Sequence, residues 1–449
     1  MTAAARQLLY HTKYLHVADS PGFGLSNMIA IHRRAALCAL SVTCAVTIPG
    51  ATLDAQAAPK IPIRTLAPST AVSRDSVGPV LVVRELSNGS VLVNDLASRR
   101  VLVFDATLAT AKVVIDTLGG TGPDAPAKVR LPAATLIRYA GDTTMYPDRV
   151  SQSLLVLDAN GKVVRVMSLV KPSDIVTIAA GGEAGIPGFD ARGRLVYHGM
   201  ARRSPPIVDP EKPWLPPIPV QVDTAPIVRA DFDTRSLDTL TKLKLNIQAP
   251  FKKREVDEQG NVIMRMYINL LGVDDQWAFL SDGTVAVLSV QDYHIDWVDP
   301  DGTHRSTPKM PFDWKRLTDA DKQRKMDSLS TQLADVNGTP PRTMMTPNGP
   351  RTARQQFEFL PPEKFGDYDQ PVETGAVKAD LDARLWILPR TSLSAKDGLL
   401  YDVINRKGEI VERVQFPRGY ALAGFGARGA VYVVRVNGAK GILERTSVK

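Results

Sequence analysis

The chain has 449 residues, of which 44% are hydrophobic and 23% are charged, and its formal net charge is +8 at pH 7. These values are ordinary for a soluble globular protein, and the chain is long enough to bury a sizeable core. The positive charge is scattered in short runs such as Lys252-Lys253-Arg254. That distribution favours a solvated surface, so we predict no nucleic-acid partner.

Residues 1–57 are predicted to be an N-terminal extension followed, from about Met28, by a signal peptide. Basic residues 32–34 precede an apolar run over residues 35–48, and residues 55–57 form an A-x-A cleavage site. The run is shorter than the roughly 20 residues of a transmembrane helix, although an uncleaved anchor is the alternative. We therefore predict a periplasmic or secreted protein with no membrane span after cleavage.

Both cysteines, Cys38 and Cys44, lie inside this apolar run. Cleavage after residue 57 leaves a mature chain without thiols, which excludes a disulfide, a cysteine nucleophile and a cysteine metal ligand. An exported protein without disulfides depends on its hydrophobic core, which favours one large domain.

Residues 80–118 contain four short β-branched runs joined by tight turns, and no connection between them is long enough to hold a helix. The pattern predicts an antiparallel four-stranded meander, which is the blade of a β-propeller. The four runs are Val80–Glu85, Ser90–Asp95, Arg100–Asp105 and Lys112–Asp116.

The same pattern recurs along the chain, with Asp-x-x-Gly turns beside apolar runs. The last meander shows only three strands, and Ile61–Leu66 is predicted to supply the fourth and to close a ring. The sequence thus predicts an all-β, six-bladed propeller. Seven blades are the alternative, because residues 246–273 include the strand-like run Val262–Ile268. The further meanders are predicted over residues 134–170, 185–245, 274–310, 373–417 and 419–448.

Two insertions interrupt the propeller domain, which is predicted to span residues 58–449. Residues 201–224 are rich in proline and predict an ordered surface loop. Residues 313–362 contain one predicted helix, which begins at a capping box of Thr318 and Asp321. Apolar residues then follow at helical spacing: Met326, Leu329, Leu333 and Val336.

Two motifs resemble those of six-bladed NHL-like and TolB-like propellers of exported bacterial proteins. Gly119-Gly120-Thr121-Gly122-Pro123 resembles their link between blades, and Asp380-x-x-Ala383-Arg384-Leu385-Trp386-Ile387 resembles the start of one of their strands. The resemblance implies a propeller over residues 61–448. Propellers that resemble gluconolactonases bind a divalent metal in the central channel through Glu, Asn and Asp from different blades. The motifs themselves are turn chemistry and imply no activity.

Most catalytic motifs are absent from the sequence, and no catalytic residue is predicted. Residues 424–429 match G-x-G-x-x-G, but a strand follows where a nucleotide-binding motif requires a helix, so the glycines are predicted to serve turns. His198, His294 and His304 show no metal-ligand spacing. We predict no metal site and no cofactor, with a divalent metal in the channel as the alternative.

Two sets of residues are candidates for a site. Acids near the predicted starts of inner strands could face the channel, although a solvated or turn-bonded role is the favoured interpretation of each. Aromatic residues of the fourth meander could form a binding surface, although packing between blades is the alternative. The acids are Glu85, Asp142, Asp274, Asp275 and Glu373, and the aromatics are Trp277, Tyr293, Trp297 and Trp314, with Phe312 beside the last.

Three hypotheses for function follow. The first is a non-catalytic binding or scaffolding module that takes a protein or a small-molecule ligand. The second is a metal-dependent lactonase or lyase, which rests only on the resemblance. The third is carbohydrate binding through the aromatic residues, which requires that their rings be exposed.

Overall fold

A computed structural model describes residues 61–449 except 79, 123–124, 182–184, 202–205, 219, 221, 247–249 and 439. The predicted signal peptide and its cysteines therefore lie outside the described residues. The described chain is all-β, as predicted, and its strands form seven sheets. In the same residues, no helix is both long enough and apolar enough to cross a membrane.

Six of the seven sheets are antiparallel four-stranded meanders that follow one another along the chain. The predicted boundaries of the first five are confirmed to within a few residues. The first comprises Val80–Glu85, Val91–Asp95, Arg100–Phe104 and Ala111–Asp116, with Ala127–Lys128 added in parallel. The second comprises Ile137–Arg138, Thr144–Asp148, Ser153–Leu157 and Val163–Ser168, and the third Gly188–Phe189, Leu195–His198, Thr224–Asp231 and Ser236–Lys244.

The fourth to sixth meanders follow the same plan. The fourth comprises Gln276–Phe279, Val285–Ser289, His294–Val298 and His304–Ser306. The fifth comprises Val372–Ala379, Leu385–Pro389, Leu400–Ile404 and Ile410–Gln415. The sixth takes Tyr420–Phe425, Ala430–Asn437 and Lys440–Ser447 from the C-terminal end, and Ala71–Val77 from the N-terminal end.

The turn after the first strand has one hydrogen-bond pattern in all six meanders. The amide of the residue that begins the turn donates to the carbonyl four residues later. This shared hydrogen bond gives a common reference point in each meander, so residues at equivalent positions of the six meanders can be compared. The turn bonds join Leu86 to Ser90, Tyr139 to Thr143, Asp190 to Arg194, Leu280 to Thr284, Asp380 to Arg384 and Gly426 to Ala430.

Each meander packs on the next through an apolar cluster, which we call a seam. The six seams join the meanders in chain order, and the last joins the sixth meander back to the first. Because a sheet with two apolar faces must be covered on both, this circuit buries both faces of every meander. Each seam contains residues from both of its meanders, for example Leu92 with Tyr146, Leu154 with Tyr197, Ile227 with Trp277, Trp297 with Leu385, Trp386 with Val433, and Tyr432 with Val83.

The predicted closing strand was wrong. Ala71–Val77, and not Ile61–Leu66, pairs with Lys440–Ser447 and completes the sixth meander. Ile63–Thr65 instead pairs in parallel with Ile410–Gln415 at the edge of the fifth meander. A register shift between Val72 and Ser76 interrupts the alternation of Ala71–Val77, and this hides its strand pattern from a sequence analysis.

The seventh sheet is not a further meander. Its central strands, Val262–Ile268 and Gly349–Phe359, pair in parallel, whereas neighbouring strands of a meander are antiparallel. Phe251–Val256 and Arg342–Thr346 are its edge strands. Two hairpins that are far apart in the chain therefore build this sheet, and the strand predicted at Val262–Ile268 belongs to it.

The single predicted helix is two helices, Asp319–Asp327 and Ser330–Asn337. The capping box is present, since the Thr318 hydroxyl accepts from the Asp321 amide at 3.1 Å. A third helix, Ile175–Ala179, was not predicted. The remaining helical segments described are 3₁₀ turns at Pro172–Asp174, Pro362–Lys364, Arg390–Ser394 and Ala427–Gly429.

Three long segments begin at the same end of the meanders and pack into one body, which we call the cap. Strands of a meander alternate in direction, so the second connection and the exit of the fourth strand lie at the same end. The cap comprises the described residues of 206–218, 250–272 and 311–370. Its three segments share apolar clusters that include Leu215 with Met264, Ile268 with Val336 and Phe357, and Leu271 with Leu317 and Phe365.

Candidate functional site

Three of the four predicted aromatic site residues are buried between meanders. Trp277 and Tyr293 are 2% exposed and Trp297 is 1% exposed. Trp277 packs in the seam of the third and fourth meanders, and the other two in the seam of the fourth and fifth. The guanidinium of Arg406 lies over the Trp297 ring, 4.8 Å from its centroid. These three aromatic residues therefore pack between meanders, which is the alternative to a binding surface given above.

The fourth residue, Trp314, is 36% exposed and ends a row of aromatic rings. The row begins at buried Tyr293, whose centroid lies 5.1 Å from that of Phe312, and Phe312 lies 5.2 Å from Trp314. Trp314 in turn contacts Tyr368, which is 46% exposed, with their centroids 6.3 Å apart. Sequence reasoning missed Tyr368, because this residue is far from Trp314 in the sequence and the pairing of Arg316 with Tyr368 brings the two segments together.

We call Trp314, Tyr368 and Arg316 the aromatic patch. The Arg316 side chain is 75% exposed, and it lies 3.8 Å from the Asp367 carboxylate. The patch lies where the cap joins the seam of the fourth and fifth meanders, since Phe312 packs against that seam. Two exposed aromatic rings beside an arginine form a surface with apolar faces and polar edges.

The five candidate acids are not brought together. Each has a partner of its own, and four of them accept from backbone amides at turns and connections. Among the described residues, no group of three or more His, Asp and Glu side chains is arranged to hold a metal ion. The metal-dependent hypothesis therefore stays a prediction. The partners are the amide of Ala427 for Glu85, Ser87 for Asp142, Asn246 for Asp274, Lys244 and Val290 for Asp275, and the guanidinium of Arg390 for Glu373.

Burial raises the pKa of Asp275, while hydrogen bonds from Ser87 lower the pKa of Asp142. The directions differ because Asp275 loses solvation and Asp142 keeps it. Desolvation is the largest cause of the raised pKa of Asp275, and the neighbouring Asp296 carboxylate adds a smaller increase.

Sequence reasoning also missed three basic residues at the ends of first strands. Arg84 and Lys378 occupy equivalent positions, two residues before the turn hydrogen bond, in the first and fifth meanders. Arg138 lies one residue before the turn in the second meander. Their side chains form no ion pair with a described acid. Burial lowers the pKa of Lys378.

The motif at residues 424–429 serves two purposes, of which turn formation was predicted. Gly429 has a positive φ of 71° and closes the turn. A Cβ on Gly424 would instead lie 3.2 Å from the Cβ of Val83, and a Cβ on Gly426 would collide with the Glu85 carboxylate, both in the neighbouring first meander. These two glycines allow the first strands of the sixth and first meanders to approach closely.

No family model matches the chain, and no curated protein matches it. Solved structures do resemble it. A member of the DUF4221 family from Bacteroides vulgatus is 11% identical with a TM-score of 0.44, and the match covers 87% of this chain and 97% of that one.

Two enzyme structures are also similar at lower scores. A gluconolactonase from Xanthomonas campestris is 11% identical with a TM-score of 0.36 over 86% of this chain and 98% of its own. Virginiamycin B lyase from Staphylococcus aureus is 10% identical with a TM-score of 0.33 over 84% and 97%. Neither a family nor an activity is assigned from scores this low, and the NHL-like or TolB-like membership stays a prediction.

His198 is a buried histidine whose two ring nitrogens have no hydrogen-bond partner among the described residues. Burial lowers its pKa to about 4, against the opposing effect of the nearby Asp174 carboxylate. Asp174 itself accepts from the Tyr197 hydroxyl at 3.0 Å and pairs with Lys171 at 2.9 Å. His198 is therefore neutral at pH 7, and it offers a proton acceptor that no described group uses.

We expect His198 to make the fold sensitive to acid. The unfolded chain binds the proton near pH 6.5 and the folded chain only near pH 4, so stability is complete above pH 6.5 and falls as pH drops between these values. Between pH 7 and pH 4.5 this difference amounts to about 2.5 kcal/mol. His198→Leu should remove this share of the acid sensitivity in urea unfolding at the two pH values.

The control is His304→Gln, because His304 is exposed in the fourth strand of the fourth meander, His304–Ser306. It should unfold with the pH dependence of the unchanged protein. Equal acid sensitivity of His198→Leu and the unchanged protein contradicts the prediction.

Proposed function

We propose that this protein is an exported binding module, in which six meanders form a closed propeller and the cap presents the aromatic patch to a protein partner. The six-bladed ring is supported by the circuit of seams and by the shared turn hydrogen bonds. Export is supported by the sequence pattern of residues 28–57.

The observation that carries the binding role is the composition and exposure of the aromatic patch. Tryptophan, tyrosine and arginine are the residues that most often dominate the energy of protein interfaces. Trp314 and Tyr368 remain 36% and 46% exposed, although the same row supplies buried rings. The buried end of the row fixes the rings in place, so little side-chain entropy is lost when a partner covers them.

The cap explains where such a partner docks. At the opposite end of the meanders the connections are short, with four-residue steps closing the first turns. All three long segments lie at the cap end, and their apolar residues form their own core. The cap is therefore a folded platform on the propeller, and loops that carry binding residues on rigid scaffolds are a common arrangement.

The test compares the mature chain, residues 58–449, with Trp314→Ala/Tyr368→Ala in quantitative capture from the exported fraction of the source cells. Loss of one hot-spot residue weakens an interface by about thirtyfold or more. We expect a captured protein to be lost with the double variant and kept with Met345→Ala, an exposed residue of the same cap.

A glycan array probed with the same three proteins tests the carbohydrate hypothesis. Binding to a glycan that the double variant loses would replace the protein partner by a carbohydrate ligand. An identical set of captured proteins for all three, with no glycan bound, contradicts the proposed role of the patch.

A further inference from the structure

The seam between the first and second meanders contains two facing arginines at the end opposite the cap. Arg84 pairs with Leu92 across its sheet, and Leu92 packs in this seam. Arg138 approaches from the first strand of the second meander, next to the turn that holds Gly141. An Nη atom of Arg84 donates to the Gly141 carbonyl at 2.9 Å, which fixes the two meanders together at this point.

Most of the hydrogen-bonding capacity of this pair is unused. A guanidinium has five N–H donors and no acceptor. Arg84 is 3% exposed, and among the described residues its guanidinium donates only to the carbonyls of Glu85 and Gly141. Its Nε is buried without a partner, and the Arg138 side chain has no partner among the described residues.

The nearby acids do not satisfy these donors. Glu85 follows Arg84 in the strand, so its side chain points to the opposite face, where it accepts from the Ala427 amide at 2.8 Å. Asp142 accepts from the amide of Ser87 at 2.8 Å and from its hydroxyl. Both carboxylates offset the positive charge from a distance, but neither forms an ion pair with a guanidinium.

Two unpaired guanidiniums that face each other are unfavourable unless an anion lies between them. Burial and the neighbouring Arg138 together lower the pKa of Arg84 to about 10. The arrangement is not needed for packing, because the equivalent positions in four other meanders hold Ile137, Gly188, Ala278 and Gly424. Small or apolar side chains therefore occupy this position in four of the other five meanders, and the fifth meander holds Lys378 there.

We infer that a small oxyanion, a carboxylate or phosphate group of a ligand, binds between Arg84 and Arg138. Guanidiniums bind such groups through paired charge-assisted hydrogen bonds. Arg138 is exposed and Gly141 has open space above its Cα, so the site is reached from solvent at the turn end. It lies away from the cap and does not depend on the partner proposed there.

The test is titration calorimetry of the mature chain with inorganic phosphate and, separately, with acetate, at an ionic strength held constant with chloride. We expect one saturable site for at least one of the two anions. Arg138→Gln, which alters an exposed side chain, should weaken it by about tenfold or more. Arg192→Gln, an exposed arginine in the equivalent turn of the third meander, should bind as the unchanged protein does.

Arg84→Lys is the second variant, because it keeps the charge but loses the planar pair of donors. It should retain a folded melting transition and lose at least tenfold in affinity. Absence of a saturable site for both anions overturns the inference. So does equal binding by Arg138→Gln and Arg192→Gln, since the anion would then be held by general charge.

Discussion

A mature chain that begins at residue 78 is expected to lack a cooperative unfolding transition at 25 °C. This shortened chain lacks Ala71–Val77, the strand that pairs with Lys440–Ser447 and completes the sixth meander. It therefore also loses the side chain of Val77, which is fully buried in the complete chain. Burial of one such side chain contributes roughly 2 kcal/mol and each strand hydrogen bond about 1 kcal/mol. The total approaches the 5–15 kcal/mol that stabilises a typical domain.

The measurement is circular dichroism and urea unfolding of this shortened chain beside one that begins at residue 61. A synthetic peptide of residues 61–77, added in excess, should restore the transition, because it binds the folded state and not the unfolded one. Cooperative unfolding of the shortened chain with unchanged stability contradicts the proposed closure.

Trp297→Ala is expected to lower the free energy of unfolding by about 3–5 kcal/mol, the range observed when a large buried aromatic is truncated. The Trp297 ring packs between the fourth and fifth meanders and also contacts the guanidinium of Arg406. Its removal leaves a cavity in a seam, and neighbouring seams cannot move to fill it because each is part of the circuit. Urea unfolding at pH 7 measures the change.

Trp314→Ala is the matched control, since it removes the same side chain from an exposed position and should change stability by less than about 0.5 kcal/mol. The two variants separate packing from binding in the aromatic set predicted from the sequence. Unchanged stability of Trp297→Ala, or a large loss with Trp314→Ala, contradicts the assignment of the one to the seam and the other to the patch.

The meanders could be predicted because their determinants are local. Runs such as Arg100–Phe104 and turns such as Asp190 to Arg194 lie within a few residues of one another, and the carboxylate of Asp190 accepts two amides of its own turn. The fourth meander lies within its predicted bounds, residues 274–310, for the same reason. Short stretches of sequence are enough to predict turn hydrogen bonds and the alternation of apolar and polar residues along a strand.

The remaining features depend on contacts between distant segments. The strand Val262–Ile268 was recognised, but its parallel partner Gly349–Phe359 lies beyond a whole meander and two helices. The strand Ala71–Val77 has a register shift that includes Arg74 and Asp75. The shift interrupts the alternation of buried and exposed residues, so the sequence does not show a regular strand there. In both cases the residues near a strand in the sequence do not indicate which distant strand pairs with it.

The candidate sites show the same limit. Trp314 was chosen from its neighbours in sequence, whereas Tyr368 joins it only through a tertiary bridge. Glu85 was predicted from its place near the start of an inner strand, whereas nothing in the local sequence marks Arg84 beside it as a buried cation without an ion pair. That Arg84 faces Arg138 follows from the seam between two meanders, which no spacing in the sequence encodes.

Native-state hydrogen exchange of the mature chain tests the ring most directly. The closed propeller predicts that amides of Ala71–Val77 that pair with Lys440–Ser447 are as protected as those of Val163–Ser168, the outer strand of the second meander. Exchange of Ala71–Val77 at the rate of an unstructured peptide, with the other outer strands protected, would contradict the closure of the six meanders by the N-terminal strand.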